Sequence, residues 1–257
     1  MKKPMNRIDH YRVQLRKVRD VEAFLLKESG LPGPRGNLEL AQACAEELPE
    51  RVLRGYLKYT PQRAPTNTPH EFIAFCGTLG LGSPAARGDE QAWRRLFGLA
   101  SDPRWRVREA VAMALQRVGR TDMEMLMSHM RAWRSGSPLV RRAVAAGLCE
   151  PDLLARKRDV LRTLRLLAYF TAAFAAAKPV EKDELILRQG LGYCWSVAIA
   201  AHPKAGKPAF EKLIPPASAD IRWIVKENLS KNRLVRMDPT WVAKCRRRLT
   251  QSRTDRS

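Results

Sequence analysis

Cysteine is sparse in this chain, and acidic residues are far outnumbered by basic ones. Its five cysteines, Cys44, Cys76, Cys149, Cys194 and Cys245, are scattered, odd in number and never arranged as C-x-x-C. That argues against a disulfide framework or a zinc site and suits small buried apolar residues in a reducing compartment. The histidines His10, His70, His129 and His202 stand alone, with no H-x-x-x-H or H-E-x-x-H spacing, so no metal site is expected. No G-x-S-x-G elbow occurs. A phosphate-cradling loop is missing too. "SGLPGPRGN" lacks G-x-x-x-x-G-K-[ST] and follows no strand, and "HPKAGKP" has Pro208 where Ser or Thr is needed. The first reads as a rigid linker and the second as a basic inter-helix loop. No cofactor is implied. The uncharged run from Leu166 to Ala177 is too short for a bilayer, which takes about 20 residues. The charged N-terminal segment has no apolar run after it, so no secretory signal is expected. A cytoplasmic protein without membrane insertion is the expectation.

Positive charge is abundant. The formal net charge is +21 over 257 residues, which attracts polyanions: nucleic acid, an anionic membrane surface or an acidic partner protein. The hydrophobic fraction of 45% is enough to build a core. A charged amphipathic helix is expected from about Ile8 to Glu28, and Asn37 is placed to cap the helix "LELAQACAEEL". Beyond it, apolar stretches of helical period alternate with breaks such as "TPQRAPTNTP", "SDP", "SGSP" and "MDP". Alternating strand patterns are scarce, so the class is all-α. The segments read as an N-terminal charged helix and Gly/Pro linker at 1–36, helical repeats at 37–237, and a basic C-terminal helix or tail at 238–257.

The helices share a spacing. Val107, Val111, Ala114, Leu115 and Val118 lie at i, i+4, i+7, i+8 and i+11. Leu187, Leu191, Cys194, Trp195 and Ala198 repeat all five steps; Val140, Val144, Gly147 and Leu148, and Phe72, Cys76, Leu79 and Gly80, repeat the first four. Such a stripe marks the face a helix packs on its neighbour. "DIRWIVKENLSKNRL" keeps Val225 and Leu229 but becomes polar afterwards, as a capping repeat would. The residue after the first stripe position is basic in four helices, Arg108, Arg141, Arg188 and Lys226, and Asp102, Asp183 and Asp220 stand shortly before three of them. This signature, clearest in "DPRWRVREAVAMAL" and "SPLVRRAVAAGL", resembles the HEAT repeat over about Asn37 to Asp238. The resemblance implies a helical-repeat solenoid in which turn aspartates and following arginines form a ladder between adjacent repeats.

Two classes of function follow. Arg104, Trp105, Arg106, Arg108, Arg141, Arg142, Arg188, Trp223 and Lys226 are candidate contacts to nucleic-acid phosphates and bases, giving a non-catalytic binder of DNA or RNA backbone, or a scaffold for an acidic protein. Which face the cations occupy is open, and the burial tendency of tryptophan favours packing of Trp105 and Trp223 in inter-repeat turns over stacking on a sugar or base. The length, charge and class also resemble the DNA alkylation-repair glycosylases of the AlkD type. That resemblance implies a catalytic aspartate beside tryptophan, for which Asp102 with Trp105, or Asp220 with Trp223, would be the candidates. The tryptophan-rich segment of that family is not found here.

Overall fold

The computed structural model describes residues 6–176 and 179–254, and every regular element among them is helical. The chain is therefore all-α, as its periodicity requires. It divides into two compact units, Met1–Met125 and Leu126–Ser257. The first holds α1 (Arg7–Leu15), α2 (Val21–Glu28), α3 (Leu38–Glu47), α4 (Glu50–Gly55), α5 (Pro69–Gly80), α6 (Gly82–Ala86), α7 (Glu90–Leu99) and α8 (Trp105–Thr121). Short polar side chains set several starts: Asn6, Asp20, Asn37, Thr68 and Asp89 each accept an amide hydrogen bond from two or three residues further on. Asn37 is thus the cap expected. The single helix expected over Ile8 to Glu28 is instead two, because the Asp20 carboxylate takes the Ala23 amide at 3.0 Å and starts α2 afresh.

In this unit α1 packs on α3, α3 on α5 and α5 on α8, while α2 and α4 flank α5 and α6 flanks α8. The stripes read from spacing point inward: Phe72, Cys76, Leu79 and Gly80 of α5, and Val107, Val111, Ala114, Leu115 and Val118 of α8, are all buried. A Cβ at Gly80 would come within 2.8 Å of the Leu53 side chain, so glycine is what lets α4 approach α5. The Gly/Pro segment is tied into the same unit. Leu31 joins the core, the Gly33 amide donates to Asn67 Oδ1 at 3.0 Å, and the Asn37 amide donates to the Ser29 carbonyl at 2.9 Å.

Charge fastens α1 to α3. Arg12 Nε donates to Glu47 Oε1 at 2.5 Å, and Arg16 reaches both Glu47 oxygens at 2.7 and 2.8 Å. Hydrogen bonds from Arg16 and then Arg12 hold the Glu47 carboxyl down at about 2. A depressed folded value means the clamp stabilises fully above the ordinary carboxyl range and is lost as pH falls through about 2. Amides of α1 are expected to lose hydrogen-exchange protection, corrected for intrinsic rate, as pH falls from about 5 toward 2, and Glu47→Gln is expected to flatten that dependence. Unchanged pH dependence in Glu47→Gln would remove the clamp from the account.

Helix α9 (Met123–Trp133) leads into the second unit, which continues with α10 (Pro138–Leu148), α11 (Lys157–Ala172), α12 (Lys182–Ala201), α13 (Pro203–Glu211), α14 (Ala219–Leu229), α15 (Asn232–Met237) and α16 (Pro239–Thr254). Here α10 packs on α12, α12 on α14 and α14 on α16, with α11 and α13 against α12. Buried Asn228 joins α12 to α14: its amide donates to the Leu191 carbonyl at 2.9 Å and its Oδ1 accepts from the Ser196 amide at 2.8 Å. Trp195 is core, its ring tilted against Phe210 at 5.6 Å between centroids and its Nε1 donating to Thr171 Oγ1 at 3.0 Å. Two sequence expectations shift. "HPKAGKP" is not a loop but opens α13, because Pro203 occupies a first-turn position where no amide is needed and the His202 ring accepts from the Ala205 amide. "DIRWIVKENLSKNRL" is interrupted at Ser230–Lys231, where α14 ends and α15 begins.

All five cysteines are buried and unbridged, and burial pushes Cys245 up to about 11 and Cys76 and Cys149 well above the ordinary thiol value. No described helix is long and apolar enough to cross a membrane.

Candidate nucleic-acid interface

The turn before α8 uses its arginines inside the first unit. Arg104 grips both oxygens of Asp102 at 2.9 and 2.8 Å and donates to the Tyr59 and Ala64 carbonyls at 2.8 and 3.2 Å. Arg106, 5% exposed, reaches the fully buried Glu71 at 3.2 Å and the Gly33 carbonyl at 2.6 Å. Buried Arg108 donates to the Asp102 and Pro103 carbonyls at 2.6 and 3.0 Å. These guanidiniums close the turn and pin the Gly/Pro segment, and a phosphate arriving from solvent would not meet them. Trp105 is the outward member, 45% exposed, with the Arg106 guanidinium 4.4 Å from its ring centroid. Beside it lies a cleft of about 160 Å³, with Phe72, Pro34 and Leu38 in its walls.

The other candidates stand on the α10–α12–α14 row of the second unit. Arg188 pairs with Asp220 across α12 and α14 and lies 4.7 Å from the half-buried Trp223 ring centroid. The pair joins the arginine of one helix to the aspartate of the next. Asp102 is instead held within its own turn, where Arg104 occupies both of its oxygens. Arg141 and Arg142 are half-buried on α10, with the Arg142 stem against Gly190 of α12, and Lys226 is exposed on α14. Tyr193 and Arg233 also lie in this unit: Tyr193 is exposed, and half-buried Arg233 holds its guanidinium 4.6 Å from the tyrosine ring centroid. In a glycosylase, Asp102 and Asp220 would each first have to leave an arginine before meeting a substrate.

A further cationic feature is a hollow of about 500 Å³ between α9 and α11. Helical spacing builds it. Met127 and Arg131 fall at i and i+4 of α9, with Arg134 in the turn just past its end, and Arg162, Arg165, Leu166 and Tyr169 fall at i, i+3, i+4 and i+7 of α11 and share one face. Met127 and Leu166 are buried and form an apolar floor. Arg131, Arg134 and Arg165 are exposed, Arg162 is half-buried, and Tyr169 is 49% exposed. The Arg134 guanidinium stands 6.0 Å from the Tyr169 ring centroid. Among the described residues no carboxylate lines the hollow, although Arg162 is engaged beside it, with Asp159 at 3.9 Å. Like charges at i, i+3 repel along a helix, as Arg162 and Arg165 do on α11, and Arg131 and Arg134 face the same hollow. A multivalent anion would relieve that repulsion.

Spacing in the sequence does not single out Arg162, Arg165 and Tyr169. A signal was present in the repeated arginine spacing R-x-x-R on both segments. It was masked by the apolar run that Leu166 opens. No family model, curated protein or solved structure matches the chain.

Proposed function

We propose that the chain binds nucleic acid without acting chemically on it, holding phosphates in the arginine hollow of the second unit and along its α10–α12–α14 row. We further propose that the helical rows belong to a HEAT-like solenoid, a reading supported by the successive packing within each unit and by the Arg188–Asp220 pair. One observation carries the binding proposal: four arginines surround a hollow that no described carboxylate lines, in a chain of net charge +21. Arginine's planar fork matches phosphate oxygens, and exposed guanidiniums keep that fork available.

Fluorescence anisotropy of a labelled random-sequence oligonucleotide with the full chain tests this. Binding is expected to weaken steeply with salt, the hollow alone giving a slope of about −3 in log K against log salt. It is expected to survive an acidic protein competitor at equal charge concentration. No binding at low salt overturns the proposal, and full displacement by the acidic protein reassigns the surface to a protein partner.

A further inference from the structure

We infer that the α9–α11 hollow accepts an unpaired nucleotide of a single strand, with its base against Tyr169 and the flanking phosphates on Arg131, Arg134 and Arg165. The inference rests on the nucleic-acid reading above and narrows it to single strands.

The composition of the hollow carries it. A surface that only tracked a duplex backbone would need cations; it would not need an apolar floor and an exposed aromatic ring. In a duplex the base faces are stacked away, and phosphates and sugars are what the outside presents. An unpaired nucleotide offers a flat apolar face together with charge, and the hollow is built for both. Buried Met127 and Leu166 form a floor that no phosphate would choose, Tyr169 stands half-exposed beside it, and arginines on both helices form the rim. Its volume of about 500 Å³ is of the size that encloses a small ligand and far too small for a double helix. Arg134 is exposed beside the ring, its guanidinium 6.0 Å from the Tyr169 ring centroid. Stacking on tyrosine tolerates any base, so little sequence preference follows.

The test compares labelled oligothymidylate of about 12 nucleotides, an abasic strand of the same length and a duplex of the same length, with the unchanged protein, Tyr169→Ala and Tyr169→Phe. The single strand is expected to bind about 10-fold more tightly than the abasic strand, with a preference of the same order over the duplex. Tyr169→Ala is expected to lose that preference, and Tyr169→Phe to keep it, since the ring and not the hydroxyl does the stacking. The side chain is half-exposed and meets core Phe170 edge-on at 5.9 Å between centroids, so a circular dichroism melt of Tyr169→Ala checks that the fold is kept. Equal affinity for all three nucleic acids, unmoved by Tyr169→Ala, overturns the stacking inference while leaving phosphate binding intact. Absence of binding to all three overturns both. Thymidine monophosphate as competitor, at equal nucleotide concentration, is expected to displace the strand poorly because it lacks the neighbouring phosphates. Full displacement would move the ligand from a strand to a free nucleotide and overturn the assignment.

Discussion

Arg106→Ala is expected to destabilise the first unit by about 3–5 kcal/mol, the usual cost of breaking a buried ion pair from one side. The residue precedes the α8 stripe in a sequence full of arginines, and from sequence it belongs with the ligand contacts. In the structure it touches Glu71, the Gly33 carbonyl and Asn67 Oδ1, the last at 3.3 Å, and its partner Glu71 has no exposure at all. Removing the guanidinium strands a carboxylate in the core and leaves the Gly33 carbonyl unpaired, so the Gly/Pro segment loses its anchor. A double variant separates charge from packing. With Glu71→Gln also present, neither charge of this buried pair remains, and Arg106→Met keeps the apolar stem; this double variant is expected to recover more than half of the loss. Urea denaturation with hydrogen exchange read on the first unit supplies the measurement. A cost below about 1 kcal/mol for Arg106→Ala would return Arg106 to the surface contacts, since that is the range of exposed ion pairs.

Arg106 also shows what a sequence can tell about this fold. Helical class, the inward stripes and the cap at Asn37 were legible because each rests on local spacing: a period of 3.6, or one polar residue three positions before an amide. The break at Asp20 was legible in principle, for the same capping chemistry operates there, but the charged residues on both sides share one helical period and hide it. The fate of a cation was not local. Arg104, Arg106 and Arg108 look alike in sequence to Arg131, Arg134 and Arg165, yet the first three meet the carbonyls of Tyr59, Gly33 and Asp102, among others, and the second three meet solvent. Only tertiary packing decides which guanidinium finds a buried acceptor. The two Asp-Trp pairs diverge for the same reason: Asp220 takes a partner from the preceding helix of its row, whereas Asp102 is taken within its own turn.

The contrast yields the second large effect, in which binding and stability move apart. Replacing Arg131, Arg134 and Arg165 together with Ala is expected to weaken nucleic-acid binding about 100-fold at low salt, as three charge-assisted contacts disappear. The slope of log K against log salt should become shallower by about 2, at roughly 0.7 per phosphate for a single strand. Stability should hold or rise slightly, because these exposed cations repel one another and support no buried acceptor in the structure. A control variant, Arg94→Ala with Arg95→Ala and Lys212→Ala, removes the same formal charge from exposed positions outside the hollow. If long-range attraction to the whole basic chain were sufficient, both triple variants would bind equally weakly. If the hollow binds, the control should lose only the modest, salt-screened part that a Debye length of about 8 Å permits at physiological ionic strength. A steep local loss at constant net charge therefore assigns the contact to the α9–α11 hollow, and equal losses assign it to the field of the molecule as a whole.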